Sequence, residues 1–106
     1  MINSKQKGKK GELELANYLK DRGLEARRGQ QYSGGPESPD VICDNWPLIH
    51  IEVKRVEKLN IEDALQQSTR DSGEDQIPIV THRKNREKWK VTLWLDDFID
   101  IYERSK

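Results

Sequence analysis

Residues 39–54 read PDVICDNWPLIHIEVK, and this stretch decides the fold. Two runs rich in valine and isoleucine, residues 40–43 and 48–53, flank a turn that contains Asp, Asn and Pro. This pattern is typical of a β-hairpin. Because side chains alternate between the two faces of a strand, the isoleucines and the valine of the second strand form its core side. The opposite side carries Leu48, His50, Glu52 and Lys54.

The pairing of the two strands predicts which side chains meet. If Asp44 pairs with Leu48 across the turn, then Asp40 lies opposite Glu52 on one face of the sheet. Cross-strand neighbours have Cβ atoms about 4.5–5.5 Å apart, where two like charges destabilise the sheet. A divalent cation removes that repulsion, and oxygen ligands suit Mg²⁺ or Mn²⁺. Lys54 lies on the same face and adds an ammonium group beside the acids.

An amphipathic helix is predicted over residues 9–21, on the N-terminal side of the hairpin. Leu15, Ala16 and Leu19 form its apolar stripe, and Glu12 lies on the same stripe, so its carboxylate points towards the sheet. A carboxylate that faces a core requires a partner. Taken alone, Glu12 is an acid that interacts with the helix dipole or a nearby lysine. Taken with the two hairpin acids, it is a third acid of the same patch.

The remaining sequence predicts a mixed central β-sheet flanked by helices. Gly23 ends the first helix, and Asn60 with Asp63 resembles a capping box that begins a second. The other predicted elements are strands at 24–28, 77–81 and 89–93, a loop at 29–39, and helices at 60–72 and 96–102. The order is αβββαβ(β)α, an α/β fold. The strands on either side of the second helix are expected to be parallel through a right-handed crossover, whereas the hairpin is antiparallel.

Composition predicts one small domain over residues 1–106. The chain has 19 basic and 19 acidic side chains, no formal net charge and 33% apolar residues. No apolar run is long enough for a transmembrane helix, and the first ten residues lack the apolar centre of a signal peptide. A single cysteine, Cys43, excludes an internal disulfide and a thiolate metal cluster. We therefore expect a cytoplasmic protein that does not contact membranes.

Charge is unevenly distributed along the chain, and nucleic-acid binding depends on local charge more than on the net charge. Acidic residues gather at 57–75 and near the C-terminus, whereas residues 83–90 are mostly basic. The candidate DNA contacts are Lys5, Lys7, Lys9, Lys10, Arg27, Arg28, His82 and Arg83. His50 has two interpretations, as a neighbour of the DNA or metal and as a hydrogen-bonded structural histidine.

The pair Pro39-Asp40, followed by Glu52-Val53-Lys54, resembles the signature of the PD-(D/E)xK nuclease superfamily. Further matches make the chain similar to the archaeal-type Holliday junction resolvases and their phage-encoded relatives. These matches are Lys7-Gly8 before Glu12, Ser33-Gly34 in the glycine-rich loop, and the stretches 64–67 and 77–83. The resemblance covers most of residues 7–98 and implies a restriction-endonuclease-like fold.

The resemblance implies a Mg²⁺-dependent endonuclease that cuts branched DNA, such as a four-way junction, and Mn²⁺ is expected to substitute. It further implies a homodimer with one active site in each subunit and two symmetrical nicks. Lys54 corresponds to the catalytic lysine, and the metal-binding acids correspond to Glu12, Asp40 and Glu52. A backbone carbonyl near Val53 is a further expected metal ligand. Such a metal acidifies a water molecule and offsets charge in the transition state.

Two residues outside the hairpin are assigned by the same resemblance. Ser33 corresponds to a loop serine near the scissile phosphate, where it also contacts DNA, and Gln67 corresponds to a helix position that is often polar. Glu37 stands in the loop where a basic residue is expected, which departs from the family pattern.

Two other functions are compatible with these residues. One is a restriction-like or nicking nuclease that acts on other DNA substrates, and the other is a catalytically inert DNA-binding module of the same fold. The intact set of acids and lysine argues against the inert module. Cleavage of a four-way junction, compared with a duplex of the same sequence, distinguishes the two nucleases.

The surface that would join two subunits has three candidates. One is an exposed Trp46 at the hairpin tip, and another is the strand face with Trp89, Val91 and Leu93. The third candidate is the surface of the helices. If Phe98, Ile99 and Tyr102 point inwards, the last helix is expected to cover the strand face, and the dimer contact is then formed by the helices or by the hairpin tip.

Overall fold

The computed structural model describes residues 4–29 and 39–106, with side chains in 8–29 and 39–106. The elements in these residues follow the predicted order. The helices are α1 (Ser4–Lys20), α2 (Ile61–Asp71) and α3 (Leu95–Arg104), and the strands are β1 (Ala26–Arg28), β2 (Val41–Cys43), β3 (Ile49–Arg55), β4 (Ile77–Arg83) and β5 (Lys90–Thr92). The predicted α/β class is confirmed. No described helix is both long and apolar enough to cross a membrane.

The described strands form one mixed sheet in the order β1-β2-β3-β4-β5. β3 and β4 are parallel and are connected through α2, whereas each other neighbouring pair is antiparallel. Val41 pairs with Ile51, which is the predicted hairpin register. The backbone N–H of Asp40 donates to the carbonyl of Ile51 at 2.9 Å. This register places Asp40 beside Glu52.

Helices cover both faces of the sheet, as the alternation along β3 predicts. Ile51 and Val53 pack against the apolar stripe of α1 in the larger core cluster. On the opposite face, α2 packs through Ala64 and Leu65 against Val80 of β4. Burial of apolar area on both faces is the main force that holds these layers together. The polar side of β3 therefore lies on the same face as α2.

Two sequence predictions differ from the structure. α1 begins at Ser4 rather than at residue 9, since lysine and glutamine are good helix formers even where no apolar stripe marks the helix. The expectation of an exposed Trp46 is wrong, because its side chain is partly buried against the larger core cluster. The turn folds back on itself through hydrogen bonds from Trp46 N to the Cys43 carbonyl and from Ile49 N to the Trp46 carbonyl.

α3 presents an apolar face to the outside. The expectation that it covers the sheet through Phe98, Ile99 and Tyr102 is wrong, because α3 packs against the larger core cluster through the partly buried Ile101. Four side chains spaced at i, i+3, i+4 and i+7 are exposed by 47–70%, and we call them the α3 apolar face: Leu95, Phe98, Ile99 and Tyr102. Val91 of β5 is also 56% exposed.

Glycine at position 11 allows α1 to approach β3 closely. A Cβ atom at this position would lie 2.7 Å from the Cβ of Arg55, which is closer than packed side chains tolerate. We expect Gly11→Ala to lower the free energy of unfolding by about 1–3 kcal/mol, because overpacking outweighs the better helix propensity of alanine. Urea unfolding followed by circular dichroism measures this change.

Gly8→Ala is the matched control within the same helix. No described atom lies within 4 Å of a Cβ at position 8. Alanine there is expected to raise the free energy of unfolding by about 0.5–1 kcal/mol through helix propensity alone. Changes of equal size and sign in the two variants would contradict the close approach at Gly11.

Candidate active site

Two carboxyl groups meet where β2 begins beside β3. Asp40 precedes β2, and its Oδ2 accepts a hydrogen bond from the backbone N–H of Val53 at 2.9 Å. Glu52 is only 5% exposed, and its side chain is hydrogen-bonded to that of Asp40. Burial, followed by the charge of Asp40 and this hydrogen bond, raises the pKa of Glu52 to about 8. The like-charge repulsion expected from the hairpin register is therefore relieved by a retained proton.

Lys54 and Gln67 complete a hydrogen-bonded group around Glu52. The Nζ of Lys54 lies 4.0 Å from Glu52 Oε2 and donates to Gln67 Oε1 at 3.3 Å. The amide Nε2 of Gln67 donates to the same Glu52 oxygen at 3.5 Å. Gln67 reaches both groups because α2 crosses the polar face of β3. The structure thus brings together four of the residues singled out in the sequence: Asp40, Glu52, Lys54 and Gln67.

Glu12 lies near this group but has a partner of its own. Its carboxylate is buried and accepts a hydrogen bond from Arg28 Nε at 2.9 Å. Burial raises the pKa of Glu12, the bond to Arg28 opposes this effect, and the charge of Asp40 raises the pKa further. Within the described residues, no three His, Cys, Asp or Glu side chains are close enough together to hold a metal ion. Two of the three predicted metal-binding acids therefore meet, and the third is paired with an arginine.

Other predicted site residues fall in different surroundings. Val53 contacts Asp40 through its N–H, and its carbonyl remains a predicted ligand. His50 is fully buried on the Glu52 side of β3, and burial lowers its pKa, so it is a neutral interior side chain. Its burial agrees with an interior position, but both ring nitrogens are buried without a hydrogen-bond partner among the described residues, so the hydrogen-bonded structural role is not confirmed. Ser33, Glu37 and the side chains of Lys5 and Lys7 lie outside the described residues.

Several predicted DNA contacts have partners within the protein. Arg27 forms an ion pair with Asp44 at 3.0 Å, Arg28 pairs with Glu12, and Arg83 pairs with Glu14 at 3.1 Å. His82 Nε2 is 2.9 Å from Thr92 Oγ1, and burial and the charge of Lys90 lower its pKa. In contrast, Lys9 and Lys10 are exposed on α1. Their roles at DNA remain predictions.

Sequence reasoning missed two features around the site. Glu14 joins Arg55 and Arg83 at 2.8 and 3.1 Å, and this pairing fixes α1 across the ends of β3 and β4. Asp71 lies close enough for its charge to raise the pKa of both Glu52 and His50. The spacing of Asp71 four residues after Gln67, on one helix face, is the signal that could have indicated this proximity.

Comparison with known proteins gives a family and a fold. A model of the archaeal Holliday junction resolvase family (Hjc) matches residues 3–100. The structure is similar to that of Hjc from Archaeoglobus fulgidus, a Holliday junction resolvase from an archaeal hyperthermophile, with a TM-score of 0.58 and 26% sequence identity over 82% of this chain and 72% of that one. No match is found among curated proteins. These findings confirm the resemblance and the fold expected from the hairpin and its flanking helices. The chain belongs to the archaeal Holliday junction resolvase family and is an endonuclease of that family.

Proposed function

We propose that this resolvase hydrolyses DNA strands at a four-way junction with Mg²⁺, that Mn²⁺ substitutes, and that a homodimer makes paired symmetrical nicks. The observation that carries the metal site is the contact between Asp40 and Glu52, with the pKa of Glu52 raised to about 8. Two adjacent carboxyl groups, one of which retains a proton, are a donor set that a hard divalent cation satisfies by displacing that proton. Asp40 and Glu52 would hold the ion, with the Val53 carbonyl as a further ligand.

The ion, when bound, supplies Lewis-acid chemistry that acidifies a water molecule and offsets negative charge on the phosphate. The chain supplies the orientation of the reacting groups. Lys54 places an ammonium group beside Glu52, where it can hold the attacking water or the phosphate oxygen. Gln67 holds Lys54 and Glu52 in a fixed relation through both ends of its amide.

Glu12 and Ser33 are assigned supporting roles in the same site. Glu12 is tied to Arg28, and the charge of Asp40 acts to raise the pKa of Glu12, which supports a role beside the first two metal ligands. Ser33 is proposed to contact the scissile phosphate. DNA approaches along the basic N-terminal part of α1, where Lys9 and Lys10 are exposed and available to phosphates. A DNA substrate, with the unpaired Cys43, supports a cytoplasmic location.

The α3 apolar face supports the homodimer. Each chain carries one group of Asp40, Glu52 and Lys54, whereas paired nicks require two such groups. All four residues of the face are exposed by 47–70%, and contiguous apolar surface of this kind marks protein–protein contact sites. A second copy that presents the same face buries it by two-fold symmetry.

Cleavage of a synthetic four-way junction tests the proposed function. With Mg²⁺, the protein is expected to nick two opposite strands symmetrically and to leave a duplex of the same sequence intact, and with EDTA it should cut neither. Lys54→Ala is the matched variant, expected to cut the junction slower by orders of magnitude without abolishing junction binding, because one lysine is a small part of the phosphate contact. Equal cleavage of duplex and junction would favour the nicking nuclease, and junction binding without cleavage in any metal would favour the inert module.

A further inference from the structure

A cleft opens next to Lys54 and Gln67, and Asp40 is not among its lining residues. It has a volume of about 720 Å³ and lies between the end of β3, the segment that follows it, and one flank of α2. Its lining includes Lys54, Lys58, Gln66, Gln67 and Arg70. We call it the α2 cleft. Because Lys54 and Gln67 belong to both, the cleft is continuous with the candidate active site.

Two of the three cations that line the cleft have no carboxylate partner among the described residues, whereas Lys54 lies 4.0 Å from Glu52 Oε2. Lys58 and Arg70 form no ion pair with any other described residue. The lining also contains one acid, Asp63, so its formal charges are three positive and one negative. In contrast, the arginines predicted from the sequence to contact DNA are held by acids within the protein. An unpaired cation pays no cost of breaking an ion pair when it contacts a phosphate.

The spacing along α2 suits a nucleic-acid backbone. Gln67 and Arg70 are three residues apart on the helix, so their Cβ atoms are about 5–6 Å apart on one flank. This separation is comparable with the step from one phosphate to the next along a strand. A strand whose scissile phosphate lies at Asp40, Glu52 and Lys54 would therefore bring a neighbouring phosphate to Arg70. Lys58 lines the same cleft from the segment after β3.

We propose that the α2 cleft binds the backbone of the cleaved DNA strand beside the scissile bond, and that Lys58 and Arg70 contact its phosphates. This inference rests on the proposed function, because it takes the Asp40 and Glu52 group as the place of cleavage. It adds two residues to the DNA surface that the basic clusters of the sequence do not include. The amide of Gln66 also lines the cleft; its Nε2 donates one N–H to Glu62 Oε1 at 3.4 Å and has a second N–H to offer the same backbone.

Binding of a four-way junction in EDTA, measured over a range of salt concentrations, tests the cleft without any chemistry. Lys58→Ala/Arg70→Ala is expected to bind at least about tenfold more weakly, and to lower the log-log salt slope by about two, one for each lost phosphate contact. Lys20→Ala/Arg22→Ala is the control. It removes one lysine and one arginine at and just after the C-terminal end of α1, away from Lys9 and Lys10, and is expected to keep the wild-type slope. Circular dichroism and thermal unfolding check that both variants fold.

A scan with single neutral methylphosphonates along one junction strand locates the contact. At the phosphates bound by the cleft, the wild type is expected to lose affinity and the Lys58→Ala/Arg70→Ala variant to lose none. Wild-type affinity and slope in that variant, or equal losses in both proteins at each phosphate, would overturn the proposal. Wild-type cleavage with Mg²⁺ is measured separately. Failure to cleave would refute the proposed function, while the binding comparison still decides the cleft.

Discussion

Replacement of Glu52 by Gln is expected to abolish strand cleavage and to leave the fold intact. The substitution removes one of the two carboxylates proposed to hold Mg²⁺ and keeps the size of a side chain that is 5% exposed. We expect the single-turnover rate on a four-way junction to fall by at least about a thousandfold, the scale of losing a main electrostatic group in catalysis. Asp40→Asn is expected to behave in the same way. Cleavage at the wild-type rate in either variant would refute the assignment of Asp40 and Glu52 as metal ligands.

The same substitution has a pH-dependent effect on stability whose sign is set by the raised pKa of Glu52. Below pH 4.5 the carboxyl is protonated in both the folded and the unfolded chain, so it contributes no penalty. Between pH 4.5 and about 8 the unfolded chain ionises it while the folded chain retains the proton, so the wild type loses stability as pH rises. Glu52→Gln removes this loss. Relative to the wild type, the free energy of unfolding of the variant is therefore expected to increase by on the order of a few kcal/mol between pH 5 and 8.

Urea unfolding at several pH values measures that gain, and Glu74→Gln, an exposed glutamate, is the matched control. Adding Mg²⁺ at pH 8 should raise the melting temperature of the wild type and not that of Glu52→Gln, because an ion that binds only the folded state stabilises it. A parallel pH dependence in the two proteins would show that the pKa of Glu52 is not raised.

Phe98→Ser/Ile99→Ser should convert the proposed homodimer into monomers and separate the two nicks. Truncation of a central aromatic or aliphatic side chain weakens association by about 2 kcal/mol or more. In a two-fold dimer each substitution is present twice. We expect dimer affinity to fall by at least about a thousandfold, as measured by sedimentation equilibrium. On a junction held in a supercoiled plasmid, the variant should accumulate singly nicked product, whereas the wild type should release linear product.

Asp100→Ser/Glu103→Ser is the control for this prediction. It changes two residues on the polar side of the same helix, where the ion pair between Glu103 and Lys106 is exposed and contributes little. The control should sediment like the wild type. A sedimentation mass of 12.4 kDa for the wild type at micromolar concentration, together with nicks that are made independently of each other, would refute the proposed homodimer.

The part of the site that local geometry determines was predictable from the sequence. The register that places Asp40 opposite Glu52 depends only on a short turn and on strand alternation, and the structure has the same register. The cap at Asn60, whose side chain accepts from the N–H of Asp63, follows from the same kind of local rule. For elements that carry an apolar pattern, the predicted ends therefore lie within a few residues of the ends in the structure.

Contacts between distant segments were not predictable from these patterns. The charge of Arg28 predicts a DNA contact because a sequence shows charge but not the partner. The antiparallel pairing of β1 with β2 brings Arg28 to Glu12 instead. The exposure of Phe98 depends on which side of α3 packs against the core. Ile101 points to the core, so the apolar face that contains Phe98 has no partner among the described residues of the chain. Loops and basic tails carry no periodicity from which their contacts can be worked out.

The position of α2 bears on how sequences of this family can diverge. One side of the helix is packed against β4, with the hydroxyl of Ser68 bonded to the carbonyl of Ile79. One flank holds Gln67 in the site, and Thr69 accepts a hydrogen bond from Trp94 next to the α3 apolar face. A substitution in this short segment is therefore expected to disturb the packing on β4, the candidate site or the neighbourhood of the α3 apolar face. Substitutions are expected to be tolerated mainly at exposed positions of α2 such as Glu62.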